Sequence, residues 1–243
     1  MRTTRIYVDL PLAVGAEIEL PPAAAEHVVR VLRLPLGATL SVFNGDGCNY
    51  LATLQEASRR PRVRLATRAA AGTESALELT LAQALARGDK MDWVVQKATE
   101  LGVAHITPLV TERSEVRLVA KRAAKRLAHW QAVAISASEQ SGRVRVPDIA
   151  PPVALEDWIS HLPSDTGWRL ALLPDAELTP RQLPPTAAGG VLVVGPEGGL
   201  GDRDCAILRA HAFTGLRLGP RILRTETAGL AALAALQAVH GDS

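Results

Sequence analysis

Val191-Leu192-Val193-Val194-Gly195-Pro196-Glu197-Gly198-Gly199 is a continuously apolar, β-branched run that ends in a glycine-rich loop. A run without alternation reads as a strand buried on both faces. A loop of this kind at the end of a strand leaves backbone N–H and C=O groups at the sheet edge. Its glycines permit φ > 0 and the close approach of a ligand. Further along stands Leu218-Gly219-Pro220-Arg221-Ile222-Leu223-Arg224-Thr225-Glu226-Thr227-Ala228. It has the same logic: a short strand (216–218), a Gly-Pro turn, and a helix opening near Thr225. Two such loops side by side would make a cofactor cup lined mainly by main chain.

The pair of motifs, in this order and in the last fifth of the chain, closely resembles the RsmE family. These are 16S ribosomal RNA uridine-N3 methyltransferases of the SPOUT class. Upstream matches extend the resemblance over nearly the whole chain: His27, Val31-Leu32-Arg33 and Gly37; the stretch 96–103; Ile106-Thr107-Pro108 with Thr111, Arg113 and Ser114; and Glu139-Gln140-Ser141 with Arg143 and Val146-Pro147. The resemblance implies an α/β fold in which a small PUA-like, RNA-binding β-barrel (1–70) precedes a SPOUT domain (75–243). A trefoil knot in the second domain would bind S-adenosylmethionine. Nothing in sequence physics proposes a knot, since true knots are almost absent from proteins. The cofactor would sit on Leu172, Leu173, Pro174, Gly195, Pro196, Glu197, Gly198, Gly199, Leu218, Gly219, Ile222, Leu223, Arg224, Thr225, Glu226, Thr227 and Ala228. One departure stands out. After Gly199 the family usually has an aromatic residue, a Ser and, three residues on, a Glu; here these are Leu200, Gly201 and Asp204. Glycine is a poorer helix cap than serine, and Asp202 is available to take over.

The 243 residues are 47% hydrophobic but only 3% aromatic, so the packing must rest on Ala, Leu and Val. No apolar run reaches the length of a membrane span, and the start of the chain lacks a signal-peptide core. Two cysteines, Cys48 and Cys205, have no metal-ligand spacing. A reduced cytoplasm is the expected home. The net charge of +2 does not announce a nucleic-acid binder, but its distribution is uneven. Residues 111–145 hold eight Lys/Arg against three Asp/Glu, and residues 146–243 hold seven against eleven.

In the first part, strands are expected around Ile6 and Val8, Ile18 and Leu20, 39–43, 50–54 and 62–66. Asn44-Gly45-Asp46-Gly47 forms a hairpin turn. A short helix is expected over 24–34, carrying His27, Arg30 and Arg33, with His27 a structural hydrogen-bonding residue. Small, weakly patterned residues at 69–75 mark the domain boundary. A strand over 77–85 opens the second domain. Asp89 is a candidate N-cap for a helix with Met91, Val94, Ala98 and Leu101 on one apolar face, closed by Gly102 at C′. A long helix is expected over 117–140. One side carries Lys121, Arg122, Lys125, Arg126 and His129; another carries Leu127, Trp130, Ala134 and Ala137. Such a cationic face neutralises phosphates without reading bases. Another short strand is expected over 168–173. With the resemblance, the charge distribution assigns RNA contacts to Arg5, Arg30, Arg33, Arg113, Gln140 and Arg143. The Ala/Leu-rich C-terminal helix, 225–239, should be buried all round or packed against a partner subunit, which points to a homodimer.

Methyl transfer to uracil N3 needs a proton acceptor and donors for the charge that develops on N3, O2 and O4. Arg221 and Arg224 are the candidate donors, each with a guanidinium fork. The apolar pair Ile222-Leu223 should turn inward and aim Arg224 at the cleft. Glu197 and Glu226 are the candidate acceptors, provided that burial raises their pKa. Each has a plain alternative: Glu226 favoured by a helix dipole, Glu197 bracing its loop. Because N3 lies on the Watson–Crick edge, the target must be unpaired or flipped out. Two other readings remain open here: a non-enzymatic RNA-binding assembly factor of the small ribosomal subunit, and ribose 2′-O-methylation on the same fold.

Overall fold

The computed structural model describes residues 3–115, 120–186 and 189–242. The chain divides into two compact units. One comprises residues 1–74 with 135–146, and the other residues 75–134 with 147–243. The segment 135–146, which the sequence reading placed in the second domain, thus packs with the first unit.

The first unit is built on a five-stranded sheet in the order β1-β3-β4-β5-β2. The strands are β1 (Arg5–Tyr7), β2 (Glu17–Glu19), β3 (Thr39–Phe43), β4 (Cys48–Glu56) and β5 (Arg62–Ala70). β3 and β4 form the expected hairpin. Its turn is fixed by Asp46, whose Oδ1 accepts from the Cys48 N–H at 2.9 Å and whose Oδ2 accepts from the Tyr50 hydroxyl at 2.6 Å. Alternation along β4 buries Cys48, Tyr50, Ala52 and Leu54, which close on Ile6, Val28, Leu40, Val42 and Val63. The single helix expected over 24–34 is shorter and of two kinds. An α-helix, α1 (Pro22–Glu26), runs into a π-helical turn (His27–Val31), and Arg33 beyond it has φ of 50°. Pro35 accounts for the early end: it disfavours helical backbone at Leu34, and the chain must turn before it.

The second unit carries a parallel sheet in the order β12-β10-β11-β6-β7-β8, with β9 also beside β7. The strands are β6 (Leu79–Ala84), β7 (His105–Val110), β8 (Asp148–Ile149), β9 (Val153–Ala154), β10 (Trp168–Leu172), β11 (Gly190–Val194) and β12 (Thr214–Leu216). β11 is buried at every position between β10 and β6, as its unbroken apolar run demands. β12 ends at Leu216, where the sequence reading had a strand beginning. Its partner β10 runs out at Leu172, and beyond it the chain keeps only an isolated bridge between Leu216 and Leu178.

The described helices that follow are α2 (Lys90–Glu100), α3 (Ala120–Ser141), whose residues from 135 on belong to the first unit, α4 (Leu155–Ser160), α5 (Asp202–Ala210) and α6 (Thr225–His240). α2 buries Met91, Val94, Val95 and Ala98 and ends before Gly102, whose φ is 81°. Asp89 occupies the N-cap position but makes no side-chain cap bond. α3 buries Trp130 and Ala134; the indole Nε1 donates to Asp92 Oδ1 at 3.0 Å. Residues 117–119 and the Lys121 side chain lie outside the described residues. α6 is one-sided rather than buried all round. Gly229, Ala232, Leu233, Leu236 and Gln237 face α2, β6 and β11, while Thr227, Ala238 and Val239 are exposed.

Candidate active site

The C-terminal ends of β10, β11 and β12 open into one cavity of about 770 Å³. This is the edge where open parallel α/β sheets bind ligands, and the size suits a small molecule. The loop after β11 folds back on itself: the Gly199 N–H donates to Pro196 O at 2.9 Å, and Gly199 has φ of 71°. A Cβ at Gly195 would come within 2.8 Å of Leu200 N, so only glycine allows the fold-back. Thr225, first residue of α6, donates its hydroxyl to Gly195 O at 2.6 Å. Gln83, fully buried on β6, donates Nε2 to the same hydroxyl at 2.9 Å. The two glycine loops are thus tied together through a buried polar pair.

Most of the expected cofactor residues meet in this cavity: Leu172, Leu173, Pro174, the run 195–199, Leu218, Gly219, Ile222, Leu223, Arg224, Thr225 and Ala228. Glu226 and Thr227 do not line it, because the first turn of α6 points them elsewhere; the Thr227 N–H is spent on Arg224 O at 2.9 Å. Ile222 does not turn inward. It is 84% exposed at the rim, where it and Arg221 follow the Gly219-Pro220 turn. Arg221 and Arg224 both line the cavity and are exposed. No side-chain bond or ion pair of either is found among the described residues. Arg113, expected as an RNA contact, also lines the cavity, and its Nη1 donates to Gly198 O at 3.0 Å.

Lys90 organises the two candidate carboxylates. Its ammonium lies 2.9 Å from Glu197 Oε1 and 3.3 Å from Glu226 Oε2. The Arg87 N–H also donates to Glu197 Oε1, at 3.1 Å. Partial burial pushes the Glu197 carboxyl up, but the bonds from Lys90, from its own backbone and from Arg87 outweigh it and hold the group below its ordinary range. The hydrogen bond to Glu197 likewise raises the pKa of Lys90 above its usual value, so it stays charged. Glu226 Oε2 is buried and, although 3.3 Å from the ammonium, not aligned for a hydrogen bond.

In the first unit the expected RNA contacts separate into two kinds. Arg30 and Arg33 are exposed, Arg30 loosely paired with Glu26 at 3.8 Å. Gln140 is exposed on α3. Arg5 and Arg143 are committed to the interior instead. Arg5 bonds Asn49 Oδ1 at 2.5 Å and Arg143 O at 2.6 Å, with its guanidinium 4.8 Å from the centre of the Phe43 ring. Arg143 is 5% exposed and donates Nε and Nη2 to Glu74 Oε2 at 3.1 and 2.8 Å. Glu74 also accepts from the Val144 and Arg145 amides. Guanidiniums held by such internal partners are poorly placed to hold a phosphate, unlike those of the exposed Arg30 and Arg33. Beside them, burial raises the Glu139 pKa despite the Tyr7 N–H it accepts at 2.9 Å and the nearby His27 and Arg5.

The sequence reading left out Lys90, Gln83, Asp175, Asp202, Cys205 and Arg217. Lys90 lies off the apolar face of its helix, where a lone charged residue reads as ordinary solvated surface. Gln83 had a legible signal, a polar residue inside an otherwise apolar strand run. The others line the cavity because of how α5 and the loops after β10 and β12 are placed, which no local pattern encodes. Among the described residues, no cluster of His, Cys, Asp and Glu suits a metal ion, and no helix is long and apolar enough to cross a membrane.

The RNA methyltransferase domain family matches residues 73–237, and the RNA methyltransferase PUA domain family matches residues 20–61. Ribosomal RNA small subunit methyltransferase E of Buchnera aphidicola is 30% identical, covering 99% of this chain and 98% of its own length. The protein of the same name from Bacillus subtilis is 31% identical over 86% and 85% of the two chains. A putative methyltransferase of Legionella pneumophila, solved with bound cofactor SAM, is 39% identical and superposes over all of both chains with a TM-score of 0.96. Ribosomal RNA small subunit methyltransferase E of Neisseria gonorrhoeae, bound to S-adenosyl methionine, is 36% identical over 99% of each chain, with a TM-score of 0.93. An RNA-methyltransferase match over most of the chain, a PUA match ahead of it and relatives of equal length under one name together place this chain in the ribosomal RNA small subunit methyltransferase E family.

Proposed function

We propose that the chain transfers a methyl group from S-adenosylmethionine to N3 of a uridine in small-subunit ribosomal RNA. The observation that carries the reading is the cavity itself: a main-chain-lined cup at the C-terminal edge of the sheet, with two guanidiniums on its rim that have no partner among the described residues. The residues fit the cofactor. Leu172, Leu218, Leu223 and Ala228 offer apolar surface for an adenine ring, and the backbone of 195–199 and 218–224 offers hydrogen-bonding groups at close approach. When bound, the cofactor supplies an activated methyl group. The protein has to place the base in line with it and manage the N3 proton.

Arg221 and Arg224 are the donors for the charge that forms on O2 and O4. A free guanidinium in a partly desolvated cup acts far more strongly than one in water. Lys90 adds a fixed positive charge nearby. Glu197 is a poor proton acceptor, since its neighbours hold its carboxyl low. Glu226 lies off the cavity lining. The cationic rim therefore works by making N3 itself more acidic, and solvent takes the proton. Arg30, Arg33 and Gln140 are the exposed candidates for RNA contact in the first unit. Arg122 and Lys125, exposed on α3, are candidates in the second. A two-fold dimer through the exposed side of α6, and a knotted path through the cavity loops, belong to the same proposal.

Two measurements test it. Calorimetric titration with S-adenosylmethionine should give one site per chain, and no heat of binding would remove the cofactor reading. The single-turnover rate should climb tenfold per pH unit until uracil ionises, in wild type and in Glu197→Gln alike. A rate that levels off in the ordinary carboxylate range, and does so only in wild type, would make Glu197 the base after all.

A further inference from the structure

The loop after β7 reaches across to the loop after β11. Thr111 and Ser114 close it into a turn: the Ser114 N–H donates to Thr111 O, and Ser114 Oγ accepts from the Thr111 N–H, each at 3.0 Å. From this turn the Glu112 carboxylate extends to α5, where Oε2 accepts from the Arg203 N–H at 3.0 Å. Arg203 is the second residue of the helix, and its N–H is one that a serine at N-cap would normally satisfy. The N-cap here is Gly201, which has no side chain to offer. Asp204, 3% exposed, supplies the other half of a capping box by accepting from the Gly201 N–H at 2.9 Å. The same carboxylate accepts from the Glu112 N–H at 3.1 and 3.2 Å. Asp202, the cap suggested by the sequence, is exposed at the first helical position. Gly201 has φ of −79° and ψ of 171°, a conformation open to any residue. Its lack of a side chain is therefore a matter of space. A Cβ there would run into the Glu112 carboxylate.

We infer that Glu112 is a positioning residue that caps α5 from a different strand's loop and thereby fixes the run 195–201 over the cofactor. Glu112 and Gly201 together do what a serine at the N-cap would do alone. The pairing is mutually exclusive: a side chain at 201 occupies the space of the carboxylate, and a shortened residue at 112 leaves the Arg203 amide uncapped. Arg113, next along, holds Gly198 O from the same turn, so one loop grips the cofactor loop at two points. This inference rests on the cofactor reading of the cavity for its consequence, but not for its geometry.

The test uses Glu112→Ala, Gly201→Ser and the double variant in the full-length protein. In the Gly201 background, Glu112→Ala should weaken S-adenosylmethionine binding about fivefold, the usual weight of one helix cap. Gly201→Ser brings its own hydroxyl and should bind within about twofold of wild type. In that serine background, Glu112→Ala should have no further effect. A merely structural glutamate would cost the same in both backgrounds, and that outcome would overturn the inference, as would no loss in either. Hydrogen exchange of the Arg203 amide in the ligand-free proteins supplies the second readout. It should speed up in Glu112→Ala alone and return to the wild-type rate in the double variant. If no form binds the cofactor, the cavity reading fails while the exchange pattern still decides whether Glu112 caps the helix.

Discussion

Arginines at the cavity rim and arginines inside the first unit are alike in sequence and opposite in circumstance. Arg221 and Arg224 are exposed, line the cavity and have no partner among the described residues. Arg143 is buried against Glu74, and Arg5 spends itself on Asn49, a backbone carbonyl and the face of Phe43. Arg143 sits in a motif that resembles the family just as Arg221 and Arg224 do, so a motif match does not distinguish an arginine at a cavity from one that holds the fold. The surroundings distinguish them. A guanidinium held by internal partners is poorly placed to bridge a phosphate, whereas one left open at a cup is available for transition-state charge.

The comparison breaks most visibly at Arg143. Arg143→Ala leaves Glu74 charged and partly buried, and breaking such a pair from one side costs about 3–5 kcal/mol. A fall in unfolding free energy of that size, seen as a lower denaturation midpoint, with cofactor affinity unchanged, is the expected result. An unaltered midpoint with weakened RNA binding would return Arg143 to the RNA contacts. Arg224→Ala should do the reverse: the melting temperature and cofactor affinity hold, and the single-turnover rate drops by about 10²- to 10³-fold. Arg224→Lys should recover only part of it, because a point charge does not reproduce the fork. If stability and affinity fall together in Arg224→Ala, the residue is a clamp and the contrast collapses.

Smaller effects sharpen the picture. Glu197 has a folded-state pKa below its unfolded value, so its contribution to stability is present above the ordinary carboxylate range and lost as pH falls through the lowered value. Lys90→Met removes the main partner, and a shallower loss of stability across that acid window is expected in pH-dependent melting. Equal acid limbs would mean that Lys90 is not what holds Glu197. Least of all, Arg30→Ala should change stability by only a few tenths of a kcal/mol, since its exposed pair with Glu26 is weak. Its effect should appear instead as a reduced salt dependence of RNA binding.

The central strand and its glycine loop were legible because both signals are local. Four apolar residues followed by Gly-Pro-Glu-Gly-Gly admit few structures, and β11 with its loop is where that run requires it to be. The hairpin over 39–54 and the Gly102 cap were readable for the same reason. What escaped depends on residues far apart in the chain. Glu112 meets Arg203, Lys90 meets Glu197, and Arg143 meets Glu74, and none of these contacts has a periodicity. The short helix at 22–26 and its π-helical continuation turned on Pro35, a signal that was present but outweighed by apolar spacing. The one-sided burial of α6 could not be read from an Ala/Leu composition that lacks any polar stripe.

The most direct test digests small-subunit ribosomal RNA to nucleosides after incubation with the protein and S-adenosylmethionine. RNA from cells lacking the enzyme is the substrate, and mass spectrometry reads the product. The account predicts a single new nucleoside, 3-methyluridine, absent when Arg224→Ala replaces wild type over a short incubation. A methyl group found on a ribose 2′-oxygen, or no methylation at all in the presence of bound cofactor, would contradict it.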